Sequence, residues 1–433
     1  MTDTASHGEA WVWAALAAVA VYLVFATHDR YGGWNDSSRL GMVEAIVEHG
    51  RLWVDGTTMG RKSGDVCMID GHYYSDKPPT PALMAVPVYW AETRLGITFH
   101  AAEPRAYYWT TLATIGLSTW LGLVALARFL RRFVPDPRWR ALTVLGLGLG
   151  SLNTVYSVTF SNHPPSATLL LLGVLLVWCW RRHGGGLGSL AAGGLLVGLA
   201  ATADHGAVFY LPFLFLYVAW PGAPRPVAAA VTLTVAATIP LAAYAAYAYA
   251  LSGSAVPLSL QSRLFQYPGS YFAQQGRLSG ASLPARSLAD LLAYARLCLV
   301  GYRGLFTHTP VFLFLVAGMV MIALDRAHPR RPEAAVVLVP TALLVVFYLL
   351  TSTDPGGNSY GVRWYCLFMP LGFVFLFDTQ RKLRGRAARA AFWIAFALSF
   401  PLAWIGALDP WLDPTPYGGG FSWAVVLRAH GWL

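Results

Sequence analysis

Apolar stretches broken by short basic turns constrain this chain more than any other feature. A helix needs about 20 mostly apolar residues to cross a bilayer. Stretches of this kind recur at Trp11–Thr27, Ala106–Leu130, Trp139–Ser157, Pro165–Trp180, Leu187–Ala203 and Gly206–Trp220. Five more follow at Val227–Leu251, Pro310–Leu324, Ala334–Leu350, Val362–Phe377 and Ala388–Leu408. The 433 residues are 56% hydrophobic and 12% charged, about half the charge of an ordinary soluble domain. That charge cannot coat a soluble globule of this size, and 14% aromatic content excludes a disordered chain. The expected fold is an all-α polytopic membrane protein with about 11 spans. The first stretch lacks a basic leader and a small-residue cleavage site, so it is expected to remain as a helix.

The net charge of +10 needs an explanation, since a basic balance can mark nucleic-acid binding. With the N-terminus placed inside, 16 of the 31 Lys and Arg fall in short inner turns, such as Arg128–Arg140 and Arg381–Arg389. The other 15 are spread over much longer outer segments. This is the positive-inside pattern of membrane topology, so nucleic acid is excluded as a partner. The four cysteines show neither CxxC nor metal-ligand spacing and are read as small core residues.

Two outer segments are long: residues 28–105 and 252–307. Loops of that length are commonly functional, and ten of the 21 acids lie in the first. Within it, Leu40, Val43, Ile46 and Val47 recur at helical spacing opposite Glu44 and Glu48, predicting an amphipathic helix on the membrane surface. Val66–Ile69 and His72–Ser75 flank Asp70-Gly71, a hairpin signal. An apolar helix is expected over Pro81–Glu92. A tail after Leu408 is expected outside.

Three side chains of this loop carry chemistry. Asp36 stands at a helix start, where an acid caps the amides or serves as a general base; the two roles are compatible. Arg39, one turn on, pairs either with Asp36 or with a phosphate. Lys77, stiffened by Pro78-Pro79, is either a snorkelling lysine or a phosphate contact. Polar groups elsewhere on the chain map to the same face: His163, Asp204, His205, His308, Asn358, Tyr360 and Arg363, with Arg303 close by. Ionisable groups at a membrane boundary are site candidates. A glycine-rich turn presents Arg363 at a helix start, where amides also favour anions. Arg263, Tyr267, Tyr271, Gln274 and Gln275 in the second segment suit either sugar stacking or an amphipathic surface. No HxxxH, HExxH or DxD pair is present, so no metal or other cofactor is expected.

Asp36-Ser37-Ser38-Arg39-Leu40 and Tyr74-Ser75-Asp76-Lys77-Pro78-Pro79 together resemble the first extracytoplasmic loop of GT-C glycosyltransferases. The protein O-mannosyltransferase and aminoarabinose transferase branch is the nearest match. Ser37 stands where that branch has a second acid. Ser161–Pro164, Tyr302–Pro310 and Gly356–Trp364 also resemble bacterial members. The resemblance implies a GT-C-like bundle and inverting sugar transfer from a polyprenyl-phosphate donor to a lipid, glycan or protein hydroxyl. It implies Asp36 as base, with Arg39, Lys77, Arg363 and Arg303 on the donor phosphate. Tyr74, His163, Asp204, His205, His308, Asn358 and Tyr360 would contact substrate. The expected location is the bacterial inner membrane, with the site outside. The rival readings are a lipid or polysaccharide flippase, which would need repeats or midplane charges, and an inactive scaffold of the same fold.

Overall fold

The computed structural model of the protein describes residues 2–101, 105–274, 286–352, 354–413 and 419–433, with side chains from residue 9. Glu103 and Gln275 lie outside the described residues.

The chain is an integral membrane protein built of helices. In chain order these are α1 (Thr2–Ala26), α2 (Trp34–His49), α3 (Thr80–Arg94) and α4 (Arg105–Leu130). Then come α5 (Pro137–Leu149), α6 (His163–His183), α7 (Leu187–Ala203), α8 (Tyr210–Ala219) and α9 (Pro226–Ser252). The C-terminal part holds α10 (Leu288–Val300), α11 (Val311–Leu324), α12 (Arg331–Thr351), α13 (Leu376–Lys382), α14 (Arg386–Leu408) and α15 (Ser422–Ala429). Among the described residues six helices are long and apolar enough to cross a membrane, or seven if one bent pair is a single span.

Several expected spans take other forms, each for a local reason. Trp139–Ser157 breaks after α5, because Ser151 accepts from the Asn153 amide and caps a new turn, Leu152–Tyr156. Val362–Phe377 is no single helix: Arg363–Phe368 is a 3₁₀ stretch, followed by the short turn Met369–Phe373. Every residue from Tyr365 to Leu376 is buried, so packing on all sides overrides α-helical regularity. The segment 252–307, expected wholly outside, carries the apolar α10. The helical stretch Leu288–His308 meets α11 at a bend of 99°.

The middle of the bundle is held by backbone contact. A Cβ on Gly198 of α7 would lie 2.4 Å from the Ala237 carbonyl oxygen of α9, and one on Gly194 would lie 2.6 Å from that of Leu233. One on Gly173 of α6 would lie 2.8 Å from the Gly193 carbonyl oxygen. Small residues let helices approach this closely where lipid supplies no hydrophobic drive. Gly198→Val is therefore expected to cost at least the roughly 1–3 kcal/mol of ordinary overpacking, since a backbone carbonyl cannot move aside. Size-exclusion profiles and melting temperatures of the detergent-solubilised variant check this.

Outside the bundle, β1 (Val66–Ile69) pairs antiparallel with β2 (His72–Ser75) in the register Val66↔Ser75. Asp70 and Gly71 turn it with positive φ, 50° and 82°, as a tight hairpin requires. Helix α2 is packed within protein on both faces, where the periodicity predicted one polar face open to solvent. Its residues Asn35 to Ala45 are all buried. Its polar face is instead saturated within the loop: Glu44 accepts from the amides of Thr58 (2.6 Å) and Met59 (2.9 Å). Ser38 Oγ donates to the Asp65 carbonyl (2.6 Å) and meets Ser75 Oγ at 2.8 Å. The loop thus forms a small core of its own residues together with Ala106, Tyr107 and Ile115 of α4 and Phe160.

Candidate active site

Helices α6 and α7 run antiparallel, so the start of α6 and the end of α7 share one end of the bundle. The start of α2, the turn before Arg363 and the segment after α14 reach the same place. Asp36 lies in the first turn of α2, where orphan amides need acceptors. Its Oδ2 accepts from Gly32 N (2.8 Å), and its Oδ1 from Gly33 N (3.0 Å) and Ser37 N (2.9 Å). Tyr107 of α4 donates to Oδ2 at 2.9 Å. The carboxyl is fully buried. Burial pushes its pKa up to about 6, and these four hydrogen bonds pull against that rise. The N-cap of α2 is Gly33 rather than Asp36; Asp36 stands three residues on and its carboxylate accepts the Gly33 amide from there.

A directed chain stands behind Asp36. Trp411 Nε1, which can only donate, gives its proton to Thr159 Oγ1 at 2.9 Å. The Thr159 hydroxyl lies 2.9 Å from the Tyr107 oxygen. With Tyr107 donating to Asp36, the proton between Thr159 and Tyr107 belongs to Thr159. Gly32 is required here, because a Cβ would sit 2.4 Å from the Trp411 ring.

Arg39 does not pair with Asp36. Its Nη1 donates to the Asn35 carbonyl (2.7 Å) and also to the Asn35 side chain, and its Nη2 donates to Asn162 Oδ1 (2.8 Å). The side chain is only 2% exposed, and its Nε has no partner. Burial lowers its pKa to about 10, so it stays charged. Among the described residues no carboxylate lies within ion-pair distance. A buried cation held by neutral amides, with one donor unused, is suited to receive an anion. Lys77 differs: its ammonium is clasped by Asp65 (2.9 Å) and Asp76 (3.2 Å). Asp76 Oδ1 is buried without a partner. Burial raises the Asp76 pKa, while Lys77 works in the opposite direction.

His163 and Asp204 meet across the α6–α7 pair, Nδ1 to Oδ2 at 2.8 Å. The other Asp204 oxygen accepts from Gly206 N at 3.1 Å. His163 Nε2 is buried and unpartnered. Arg363 stacks its guanidinium 5.1 Å from the centre of the Trp411 ring, and its Nε is also buried without a partner. The charges of Arg363 and Arg39 both act on the His163 ring. Asp36, Arg39, His163, Asp204 and Arg363 are thereby one constellation, with Lys77 and Asp76 at its edge.

Other expected site residues have contacts within the fold. Arg303 donates to the Gly357 carbonyl and so braces the glycine-rich turn that carries Arg363. His308 bonds the Gly304 carbonyl at 2.8 Å and packs edge-on against Tyr360, 4.7 Å between ring centres. Tyr360 spends its hydroxyl on the Leu402 carbonyl (2.6 Å). His205 bonds the Tyr244 hydroxyl (3.1 Å) and stacks on its ring. Tyr74 pairs with Trp53 in an isolated bridge beyond the hairpin. Asn358 is exposed on its turn. In the second outer segment, Tyr267 donates to the Val66 carbonyl (3.1 Å), and Tyr271 packs edge-on against Trp34 (5.1 Å). Sequence reasoning missed Tyr107, Thr159, Asn162, Asp76 and Trp411. Asn162 and Asp76 adjoin residues singled out on the chain; nothing in the sequence marks the other three.

Among the described residues the one group with metal-ligand geometry is Glu44, Glu48 and His100. It excludes Asp36, and its atoms are already hydrogen-bonded. His100 Nε2 meets Glu48 at 2.6 Å, and the Glu44 oxygens hold two amides.

No family model matches the chain, and no curated protein does. Solved structures do. Archaeal oligosaccharyltransferase AglB from Archaeoglobus fulgidus, in complex with an inhibitory peptide and a dolichol-phosphate, is 14% identical with a TM-score of 0.56. That match covers 95% of this chain and 56% of AglB. ArnT from Cupriavidus metallidurans in the apo state is 16% identical with a TM-score of 0.55, covering 96% of this chain and 76% of ArnT. ArnT bound to undecaprenyl phosphate is 14% identical with a TM-score of 0.54, covering 96% and 77%. The chain therefore spans about half the length of the oligosaccharyltransferase, and the likeness is one of fold.

Proposed function

We propose that this chain, which has the GT-C fold, is a membrane glycosyltransferase that takes its sugar from a polyprenyl-phosphate donor. One observation carries the reading: a buried carboxylate and two cations with unused donors, Asp36, Arg39 and Arg363, occupy one end of a helical bundle. That set matches what displacement at an anomeric carbon needs. The acceptor hydroxyl oxygen forms the new bond to the anomeric carbon. The old bond to the phosphate oxygen breaks, and its electron pair leaves with the lipid phosphate. Asp36, on giving up one of the four hydrogen bonds it accepts, takes the hydroxyl proton. Arg39, Arg363 and, once released from its acids, Lys77 offset the charge on the departing phosphate. Attack opposite the leaving group inverts the anomeric centre.

His163, oriented by Asp204, offers its free Nε2 to the donor's sugar or phosphate. Arg303, His308 and Tyr360 act indirectly, by setting the turn from which Arg363 projects. The site is assigned to the extracytoplasmic side of a bacterial inner membrane, because the basic turns lie at the other end. The likeness to ArnT, which binds undecaprenyl phosphate, supports this donor class.

The test is transfer of radiolabelled sugar from polyprenyl phosphate by the purified chain, with glycolipid, glycan and peptide hydroxyls as acceptors. No binding of the lipid phosphate and no transfer to any acceptor would overturn the reading. Cationic side chains supply the phosphate neutralisation, so turnover is expected to survive exhaustive EDTA treatment. A loss restored by added zinc, magnesium or manganese would assign that work to a metal.

A further inference from the structure

At the opposite end of the bundle four chain segments border an open cavity of about 670 Å³. Helix α6 runs from His163 at the candidate active site to Arg182 at this cavity, about 30 Å away at 1.5 Å per residue. Six basic side chains line it: Arg132, Arg182, Arg330, Arg381, Lys382 and Arg384. Phe133 and Phe377 supply apolar wall, and Pro329, His328 and the carboxylate of Asp378 complete the lining.

A charge inventory separates these six into two groups. Arg182 pairs with Glu333, Lys382 with Asp325 and Arg330 with Asp378. Arg330 is also fixed between the rings of Phe133 and Phe375. The other three have no carboxylate within ion-pair distance among the described residues. Arg132 Nη1 approaches Cys179 Sγ at 2.8 Å. Arg381 lies over the Phe377 ring, 5.5 Å from its centre. Arg381 and Arg384 are exposed. Positive-inside topology explains why the turns at this end are basic. It does not bring three unneutralised guanidiniums, from the α4 end and from the α13 end, to the wall of one cavity. Each guanidinium presents paired donors that match phosphate oxygens. Basic pockets between helix ends, at headgroup depth, are places where anionic groups bind.

We infer that this cavity, formed where Arg132, Arg381 and Arg384 converge, binds a phosphate group carrying two or more negative charges. The same chemistry is offered by the headgroup of an anionic phospholipid and by a soluble diphosphate. The inference is independent of the proposed transferase activity.

Thermal melting of the full chain in phosphatidylcholine nanodiscs, titrated with inorganic diphosphate, and in nanodiscs also containing phosphatidic acid tests it. The wild type is expected to melt higher with at least one of the two. A gain with phosphatidic acid alone assigns a lipid headgroup, and a gain with diphosphate alone assigns a soluble ligand. Arg381→Ala/Arg384→Ala is expected to weaken that binding at least tenfold, while sugar transfer is unchanged. Arg132→Ala is the second, independent variant, in case the first alters folding. Arg39→Ala, at the other end, is expected to keep this binding. Absence of stabilisation by either probe, wild-type affinity in both cavity variants, or loss in Arg39→Ala alone would overturn the inference.

Discussion

Asp36→Asn is expected to lower sugar transfer by about 10²–10⁴-fold, the usual worth of a general base, while polyprenyl-phosphate binding persists. Asparagine keeps one side-chain oxygen for the α2 amides, so the helix start survives; what it loses is a basic oxygen. The pH dependence follows with a definite sign. The base must be ionised, and burial places its pKa at about 6. Activity of the wild type is expected to rise as pH increases through about 6 and to level off above it. Tyr107→Phe removes one of the hydrogen bonds that hold the carboxylate ionised. Its acid limb should therefore move to higher pH, a displacement that simple loss of packing would not produce. Near wild-type turnover in a folded Asp36→Asn protein would remove Asp36 as the base.

Arg39→Ala is expected to weaken donor binding by about 10²-fold, since breaking a buried charge-assisted contact costs about 2–5 kcal/mol. Lys77→Ala should cost less, because Lys77 already spends its charge on Asp65 and Asp76. Arg39→Lys should not rescue binding. A lysine cannot hold the Asn35 and Asn162 oxygens and still present a planar donor to phosphate. Titration of each variant with labelled polyprenyl phosphate, beside its melting temperature, separates ligand loss from loosening of the loop. Unchanged donor affinity in Arg39→Ala would sink the phosphate assignment.

Much of this was legible in the chain. Apolar stretches mark most of the long helices because each must satisfy its own backbone in lipid. The hairpin was legible because Asp70-Gly71 suits a turn with positive φ. The α2 helix was legible from its 3.6-residue periodicity, but its surroundings were not. Glu44 and Glu48 read as a solvated face, yet the loop folds back and supplies their partners. Periodicity reports which face is polar and is silent on what satisfies it. Val362–Phe377 is broken where one continuous helix was expected, for a related reason: hydropathy does not distinguish burial in lipid from burial in protein.

The candidate site divides in the same way. Asp36, Arg39 and Lys77 stand out because a polar, charged loop on an apolar chain is conspicuous. Trp411, Thr159 and Tyr107 do not, because an aromatic or a threonine among many others has no local signature. Arg303, His308 and Tyr360 stood out as polar groups at the right face, yet each bonds a backbone carbonyl of the surrounding scaffold, although His308 keeps a buried, unpartnered Nε2.

By itself the sequence determined that this is a helical membrane protein, which ends of its helices are basic, and where its polar chemistry is concentrated. These follow from the cost of placing charge and unpaired backbone in lipid, a cost local enough to read residue by residue. Only the tertiary structure decided that Asp36 is held by Tyr107 rather than by Arg39, that Lys77 is clasped while Arg39 keeps a free donor, and that Asp204 orients His163. Those outcomes depend on which of several possible partners arrives within about 3 Å of a given polar atom. For Asp36 and His163, packing across intervals of 71 and 41 residues makes that choice; for Lys77 the fold of its own loop does.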